Sequence, residues 1–357
     1  MPLFEVTEYD RKIYEEELKD FLPEKMLDIH THVWLDSLRE KEPQKPGEPK
    51  RTVSWPSLVA KDNSIEDLQE TYRLMFPGKD VKALLFANKI KSRQSCQVLN
   101  DYAAECAAKS GWPALYYSLP TQSADEVEEN MRKGGFLGLK SYLDLAPSYL
   151  PASEIRVFDF FPKEHLKRMD ELGGIVMLHI PRPGRMKDPV NIGQILEIKR
   201  EFPNVRLIVA HIGRAYTKDD LGDAFEQLKE APDLMYDFSA NCCEYAITEL
   251  IRNVGPKHVL YGNDMPILRM RTRRIEENGT YINLIPPGLY GDPSQDSHLR
   301  EVSPEEAEKI TFFAYEELLA LKRAAKTLGL SRKDIEDILY NNAVDMIEGA
   351  RKSIYGI

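Results

Sequence analysis

Two kinds of hydrophobic pattern alternate along the chain. Short apolar runs, rich in β-branched and aromatic residues, occur at 26–32 (MLDIHTH), 81–87 (VKALLFA), 113–119 (PALYYSL), 136–142 (FLGLKSY), 174–180 (GIVMLHI), 205–211 (VRLIVAH), 233–239 (DLMYDFS) and 258–264 (HVLYGND). Near-continuous apolar runs of this length fit parallel strands covered on both faces. Between them the period changes. Leu99, Tyr102, Ala103 and Cys106, and again Leu221, Ala224, Phe225 and Leu228, recur at i, i+3, i+4, i+7, the stripe of an amphipathic helix. Gly134-Gly135 and Gly173-Gly174 close two further helical stretches with the positive-φ stop that C-termini favour. Eight strand–helix alternations over 26–264 match the roughly 250 residues of a (β/α)8 TIM barrel. The rival, a doubly wound open sheet, lacks a Gly-x-Gly-x-x-Gly after any early strand.

Two connections exceed simple turns. Residues 33–63 carry Pro43, Pro46, Pro49 and Pro56, and residues 265–302 carry Pro286, Pro287 and Pro293. Both follow the C-terminal end of a strand, the barrel face that holds active sites, and connections of this length are usually functional or disordered. The expected organisation is one domain over 1–357, with a barrel core at 26–264, a lid loop at 265–302 and C-terminal helices at 303–352. Ser303-Pro304-Glu305-Glu306 reads as a capping box, and Ser331 with Asp334 as a weaker one.

Composition narrows the class. Hydrophobic residues make up 42% and charged residues 30% of 357, and the formal net charge is −10. That is globular, and its negative surface disfavours nucleic acid. No apolar run is long enough to span a membrane, and the acidic N-terminal stretch does not read as a signal peptide. Four cysteines, two of them adjacent at 242 and 243, form no disulfide framework, so the expected location is cytoplasmic.

The chemistry concentrates at strand ends. Of seven histidines, His30 and His32 close the first run, His179 the fifth and His211 the sixth, while Asp264 closes the eighth. Alternation along a strand points His30 and His32 to the same side, toward the barrel axis, with Asp28 one layer below. Imidazoles and a carboxylate at this density suit a divalent transition metal.

LDIHTH at 27–32, VMLHI at 176–180, NVRLIVAHIGR at 204–214, HVLYGNDMP at 258–266 and ILYNNAVDM at 338–346 together resemble the amidohydrolase superfamily. The local wording is similar to its amidohydrolase-2 branch, the aminocarboxymuconate-semialdehyde decarboxylase-like metal-dependent hydrolases. The resemblance implies one metal held by His30, His32, His179 and Asp264, with His211 beside it orienting water or polarising substrate. Zn²⁺ is the first expectation, with Mn²⁺ or Fe²⁺ as alternatives. Asp264 would carry the proton and His211 would donate to a developing oxyanion.

Lys140, ending the fourth run, has three readings: a carbamate bridging two metals, a cationic substrate contact, or a structural lysine. Arg182 and Arg214, three residues beyond His179 and His211, are placed to clamp a carboxylate, with Tyr142 and Lys140 beside them. Trp34, Trp55 and Tyr290 are candidate pocket walls. The run Arg269, Arg271, Arg273, Arg274 either draws in an anion or forms a solvated helix face paired with Glu276 and Glu277. His298, in the same connection, is a further candidate for the site. The expected activity is hydrolysis of an ester, lactone or amide bond in a small anionic substrate, with non-oxidative decarboxylation of an unsaturated or aromatic acid as the alternative. A homodimer stays open.

Overall fold

Each apolar run nucleates a strand, and the strands lie side by side in chain order. They are β1 (Lys25–Val33), β2 (Asp80–Ala87), β3 (Tyr116–Tyr117), β4 (Gly138–Lys140), β5 (Ile175–Leu178), β6 (Arg206–Val209), β7 (Met235–Asp237) and β8 (Val259–Leu260). This computed structural model describes residues 2–40, 56–90 and 92–357, so Trp55 and the prolines at 43, 46 and 49 lie outside the described residues. β1 pairs with β2, and β3 through β8 form a parallel sheet in sequence order.

Backbone hydrogen bonds join the two sets at both seams. Between β2 and β3, Leu85 N–H donates to Pro113 O and Leu115 N–H to Leu85 O, at 2.9 and 2.8 Å. Between β8 and β1, Ile29 N–H donates to Tyr261 O at 2.8 Å and His32 N–H to Met265 O at 2.9 Å. The eight strands therefore close into a barrel. All four residues of β5 are buried, as expected for a strand covered on both sides.

Seven strands are followed by helices at Ile65–Met75, Arg93–Ser110, Ala124–Gly134, Lys163–Leu172, Pro189–Glu201, Ala224–Leu228 and Glu244–Val254. The eighth, Phe313–Leu328, comes only after the long connection and packs on Glu244–Val254. It falls within the stretch expected as C-terminal helices, yet it completes the barrel's outer ring. Gly135 and Gly173 stop their helices with φ of 71° and 60°, and Ser303 and Ser331 form their capping boxes. A π-helical turn at Asp337–Asn341 and the Asn342–Tyr355 helix pack under the N-terminal ends of the strands. There the Asn342 amide donates to Pro256 O and Val259 O, at 2.8 and 2.9 Å, which ties the last helix to the start of β8.

Within the connection after β8 the chain folds further than a loop. β9 (Arg273–Glu277) and β10 (Thr280–Ile285) form an antiparallel hairpin, and β11 (Leu299–Glu301) adds in parallel to β10. Its turn is Asn278-Gly279, with φ of 52° and 72°, the positive-φ pair that two-residue hairpins need.

The arginine run lies at and within a strand and not on a helix face, and Arg269, Arg271 and Arg274 are engaged by this sheet and its neighbours. Arg269 lies over the Phe4 ring and donates to Val59 O. The Arg271 guanidinium grips the buried Asp10 carboxylate with two bonds, at 3.0 and 2.6 Å. Arg274 is enclosed by the rings of Tyr216, Tyr281 and Phe313, each within 4.6 Å. Glu277 pairs with Arg300 instead. His298 stacks on Tyr281 with centroids 4.1 Å apart, and the Tyr290 hydroxyl accepts from Arg271 N–H, so both serve the outer sheet.

Arg271→Met leaves Asp10 buried without its counter-charge, so it should cost about 3 kcal/mol, measured as a lowered urea midpoint. An unchanged midpoint would mean that the ion pair contributes nothing net.

Candidate metal centre

The strand ends place the predicted side chains at the C-terminal mouth, and hydrogen bonds fix which ring nitrogen each histidine presents. His30 Nδ1 lies 3.0 Å from Asp237 Oδ2, and His32 Nδ1 lies 3.0 Å from Ala87 O. Carbonyl and ionised carboxylate oxygens only accept, so both Nδ1 atoms carry the proton and both Nε2 atoms offer a lone pair. The two Nε2 atoms then face one carboxylate oxygen, Asp264 Oδ1, at 3.7 and 3.4 Å. These three acceptor atoms lie within 4.8 Å of one another. Three lone-pair bearers turned toward a common point repel unless a cation or shared protons stand between them. The residues therefore fit a divalent metal, and His30, His32 and Asp264 could hold one.

His179 stands further out. It is absent from that close trio, but its ring lies 5.2 Å from that of His211, which is 4.6 Å from that of His30. Its Nε2 is 3.4 Å from the Tyr142 hydroxyl, while its buried Nδ1 has no hydrogen-bond partner. A fourth ligand drawn inward by a metal would relieve that orphaned nitrogen.

Asp237 is the residue that sequence reasoning missed. His30, His211 and Asp237 also cluster within 4.8 Å, but this carboxylate is already filled. Oδ2 accepts a hydrogen bond from His30 Nδ1–H, and Oδ1 accepts from His211 N–H at 2.9 Å, from Ser239 N–H at 3.1 Å and from the Ser239 hydroxyl. With three bonds on Oδ1 and one on Oδ2, Asp237 is placed to orient His30 and His211. The available signal was its position: like Asp264, it is an acid at the end of an apolar run.

Ser239 also fixes His211. Its only hydroxyl proton goes to Asp237, so His211 Nδ1 must carry the hydrogen that meets Ser239 O at 3.0 Å. His211 Nε2 is therefore an acceptor. The expected role as oxyanion donor needs a proton there first.

The backbone is strained where these groups sit. His211, Ile212, Gly213 and Arg214 all have positive φ, between 50° and 62°, and Asp264 has φ of 48°. For non-glycine residues this left-handed conformation costs about 1–2 kcal/mol each, and such strain clusters at functional sites. Gly262 admits β8 beside β1, because a Cβ there would lie 2.9 Å from His30 Cβ.

Electrostatics keep the donor set ready. Burial, then neighbouring cations, push the His30 and His179 imidazoles below their ordinary value, and burial with His30 nearby pushes His211 down to about 4. Burial works to raise Asp264, but His32, His30 and His211 overcome it and hold the carboxyl at about 2. These shifts favour neutral imidazoles at His30, His179 and His211 and an ionised Asp264, the forms that bind metal.

Lys140 is buried with no hydrogen-bond partner for Nζ, which sits 5.2 Å from the Phe86 ring centroid. Burial lowers it to about 8 against the pull of Asp237 and Asp264. Arg214 lies close enough to depress His179 and donates to Pro181 O at 3.4 Å. Arg182 is turned toward Asp188, 3.1 Å from Nε, at a rim cavity of about 510 Å³ lined also by Leu150, Glu154, Arg156 and Asp159. Trp34 donates to Lys61 O and packs beside His32.

A closed β/α barrel with imidazoles and a carboxylate gathered at its C-terminal mouth defines a metal-dependent barrel enzyme. The amidohydrolase family model, of the amidohydrolase-2 type, matches residues 27–348, and the chain belongs to that family. Among solved structures it is similar to 2,6-dihydroxybenzoate decarboxylase in complex with 2,6-dihydroxybenzoate (15% identity, 92% of this chain and 99% of that one, TM-score 0.52). It is also similar to 4-oxalomesaconate hydratase from Rhodopseudomonas palustris (14%, 92% and 97%, 0.54). A third is a candidate 2-pyrone-4,6-dicarboxylic acid hydrolase from Pseudomonas putida (14%, 92% and 99%, 0.52). At these identities the likeness is one of fold. The chain has no match among curated proteins. Among the described residues no helix is long and apolar enough to cross a membrane.

Asp237→Ala frees the His30 ring to rotate and change tautomer, so metal affinity should fall about 10–100-fold, measured by chelator competition. A pH effect follows from His211. In the metal-free protein His211 stays neutral down to about pH 4, whereas the unfolded chain takes up a proton near 6.5. Its contribution to stability is therefore full above pH 6.5 and is lost as pH falls through that window. His211→Asn should flatten this acid limb by up to about 3 kcal/mol in urea titrations at pH 4.5 to 7. Parallel curves would place the ionisation elsewhere.

Proposed function

We propose that this chain hydrolyses an ester, lactone or amide bond in a small anionic substrate, with one divalent metal held by His30, His32, His179 and Asp264. The observation that carries this reading is the convergence of His30 Nε2, His32 Nε2 and Asp264 Oδ1 as unshared acceptors. Zn²⁺ suits three imidazoles and a carboxylate, and Mn²⁺ or Fe²⁺ could occupy the same set.

When bound, such a metal acts as a Lewis acid and lowers the pKa of water from 15.7 to about 7. His211 Nε2, held as an acceptor by its bond to Ser239, takes a hydrogen bond from the attacking water and aims it. The Asp264 carboxylate accepts the proton that attack releases and returns it to the leaving group. Lys140, mostly an ammonium at neutral pH, Arg214 and the Tyr142 hydroxyl orient the anionic part of the substrate. Arg182 extends this set at the rim once it parts from Asp188. Four cysteines without disulfides fit a reducing cytoplasm.

Decarboxylation is the second reading. The buried Lys140 ammonium, with no hydrogen-bonded counter-ion, can receive a substrate carboxylate, and a chain of similar fold is a decarboxylase.

Incubation of metal-loaded protein with anionic lactones, esters and unsaturated acids in ¹⁸O-labelled water separates the two. Hydrolysis places the label in the product, whereas decarboxylation releases CO₂ without it. Asp264→Asn should lower turnover by about 10²-fold or more in either case, and full activity would remove its proton-carrying role. Elemental analysis should give one metal per chain; two would favour the Lys140 carbamate.

A further inference from the structure

We propose that Asp28 is a positioning residue, a side-chain clip that joins β1 to β8 and sets the spacing between His30 and Asp264, with Tyr72 as its anchor. The inference rests on the metal reading above.

β1 is irregular on its β2 side and sparsely bonded on its β8 side. The β1–β2 register slips between Asp28 and Thr31, and among the described residues β1 meets the chain beyond β8 in a single bridge, Thr31 with Met265. Such a slip re-aims the side chain at the bulge, here His30. Two buried backbone donors here bond to a side chain and not to a neighbouring strand: His30 N–H, beside its own imidazole, and Asn263 N–H, one residue before Asp264.

One oxygen satisfies both. Asp28 Oδ1 accepts from His30 N–H at 3.0 Å and from Asn263 N–H at 2.8 Å. The carboxylate thus adds a side-chain bond across the β1–β8 seam, at the point where residues from opposite ends of the barrel sequence meet. Its other oxygen is fixed from outside the barrel. The Tyr72 hydroxyl, on the Ile65–Met75 helix, donates to Asp28 Oδ2 at 2.7 Å and stands 3.3 Å from Thr31 Oγ1. Asp28, Thr31, Tyr72 and Asn263 are all buried, so water cannot substitute for any of these bonds. The clip touches no substrate and no ligand atom. It acts through the two backbones that carry the ligands.

The test uses the full chain stripped of metal, with Zn²⁺ affinity from competition with a chromophoric chelator and the Co²⁺ ligand-field spectrum as a report of ligand geometry. Tyr72→Phe removes one donor and leaves the packing. It should weaken Zn²⁺ binding about 10-fold and shift the Co²⁺ bands, and Asp28→Ala should weaken it toward 100-fold. Asp28→Asn keeps an oxygen that can accept from both N–H groups and should restore much of the affinity. Arg271→Met, far from the seam, is the control for lost stability and should bind Zn²⁺ like the wild type. If Asp28→Ala does not fold, Tyr72→Phe decides. The clip is overturned if Tyr72→Phe binds Zn²⁺ and gives the Co²⁺ spectrum of the wild type, or if Arg271→Met loses as much affinity. A wild-type chain that binds no Zn²⁺ would instead overturn the metal reading itself.

Discussion

Electron pairs held against one another govern the mouth of this barrel. His30 and His32 each commit Nδ1–H to a fixed oxygen, one on Asp237 and one on the end of β2, and so each must turn a lone pair toward Asp264. Neither ring can rotate to relieve the repulsion without abandoning a buried hydrogen bond. A cation removes the conflict, and the framework has been built so that little else does. This is preorganisation in the physical sense: the cost of assembling the donors is met when the chain folds, not when metal binds.

The rest of the structure maintains that arrangement. Asp237 bonds the ring of His30 and the backbone of His211, which places β1 and β6 in register across the barrel. The turns after β6 and β7 include left-handed residues, and they are tied together where Asn241 Nδ2 donates to Ala215 O at 2.8 Å. Arg274, enclosed by three rings, donates to Ala240 O, the residue after Ser239. The outer sheet thus buttresses the turn that fixes the His211 tautomer. A segment that sequence alone presents as a lid serves, over β9 and β10, as a brace.

Most of the fold was legible because buried parallel strands leave apolar runs that no surface element imitates, and the five polar positions stood out against those runs. What escaped reading has physical reasons. Asp237 carries the same signal as Asp264, but its oxygens are used internally, and hydrogen-bond direction is invisible in sequence. The β9–β10 hairpin was announced by Asn278-Gly279, a strong local turn signal that the surrounding prolines and arginines obscured. The arginine run was read as an anion-attracting stretch or as a helix face paired with Glu276 and Glu277, because its partners, Asp10 and the rings around Arg274, lie far away in sequence. Positive φ at His211, Arg214 and Asp264 has no sequence mark at all, since tertiary bonds impose it on residues that do not favour it.

Metal donors and candidate substrate contacts sit on elements of different stiffness. His30 and His32 lie within β1, and Asp264 is bound into the seam by neighbours on both strands. Arg182 and Arg214 lie on the turns that follow, the first held by a helix cap and the second at the end of a strained turn. Replacing or re-aiming these arginines would alter which anion is held and how it is presented, yet would leave the Nε2–Oδ1 geometry in place. A barrel of this kind thus separates the strands that carry the polar cluster from the turns that select what reaches it. Lys140 is the exception, because it is buried in β4 beside the donors themselves. Burial lowers its pKa, and Asp237 and Asp264 pull the other way, so its charge depends in part on the same carboxylates that line the candidate metal centre. An anion that approached Lys140 would therefore also approach the acceptor atoms of the candidate metal centre, which couples substrate charge and metal charge through one side chain.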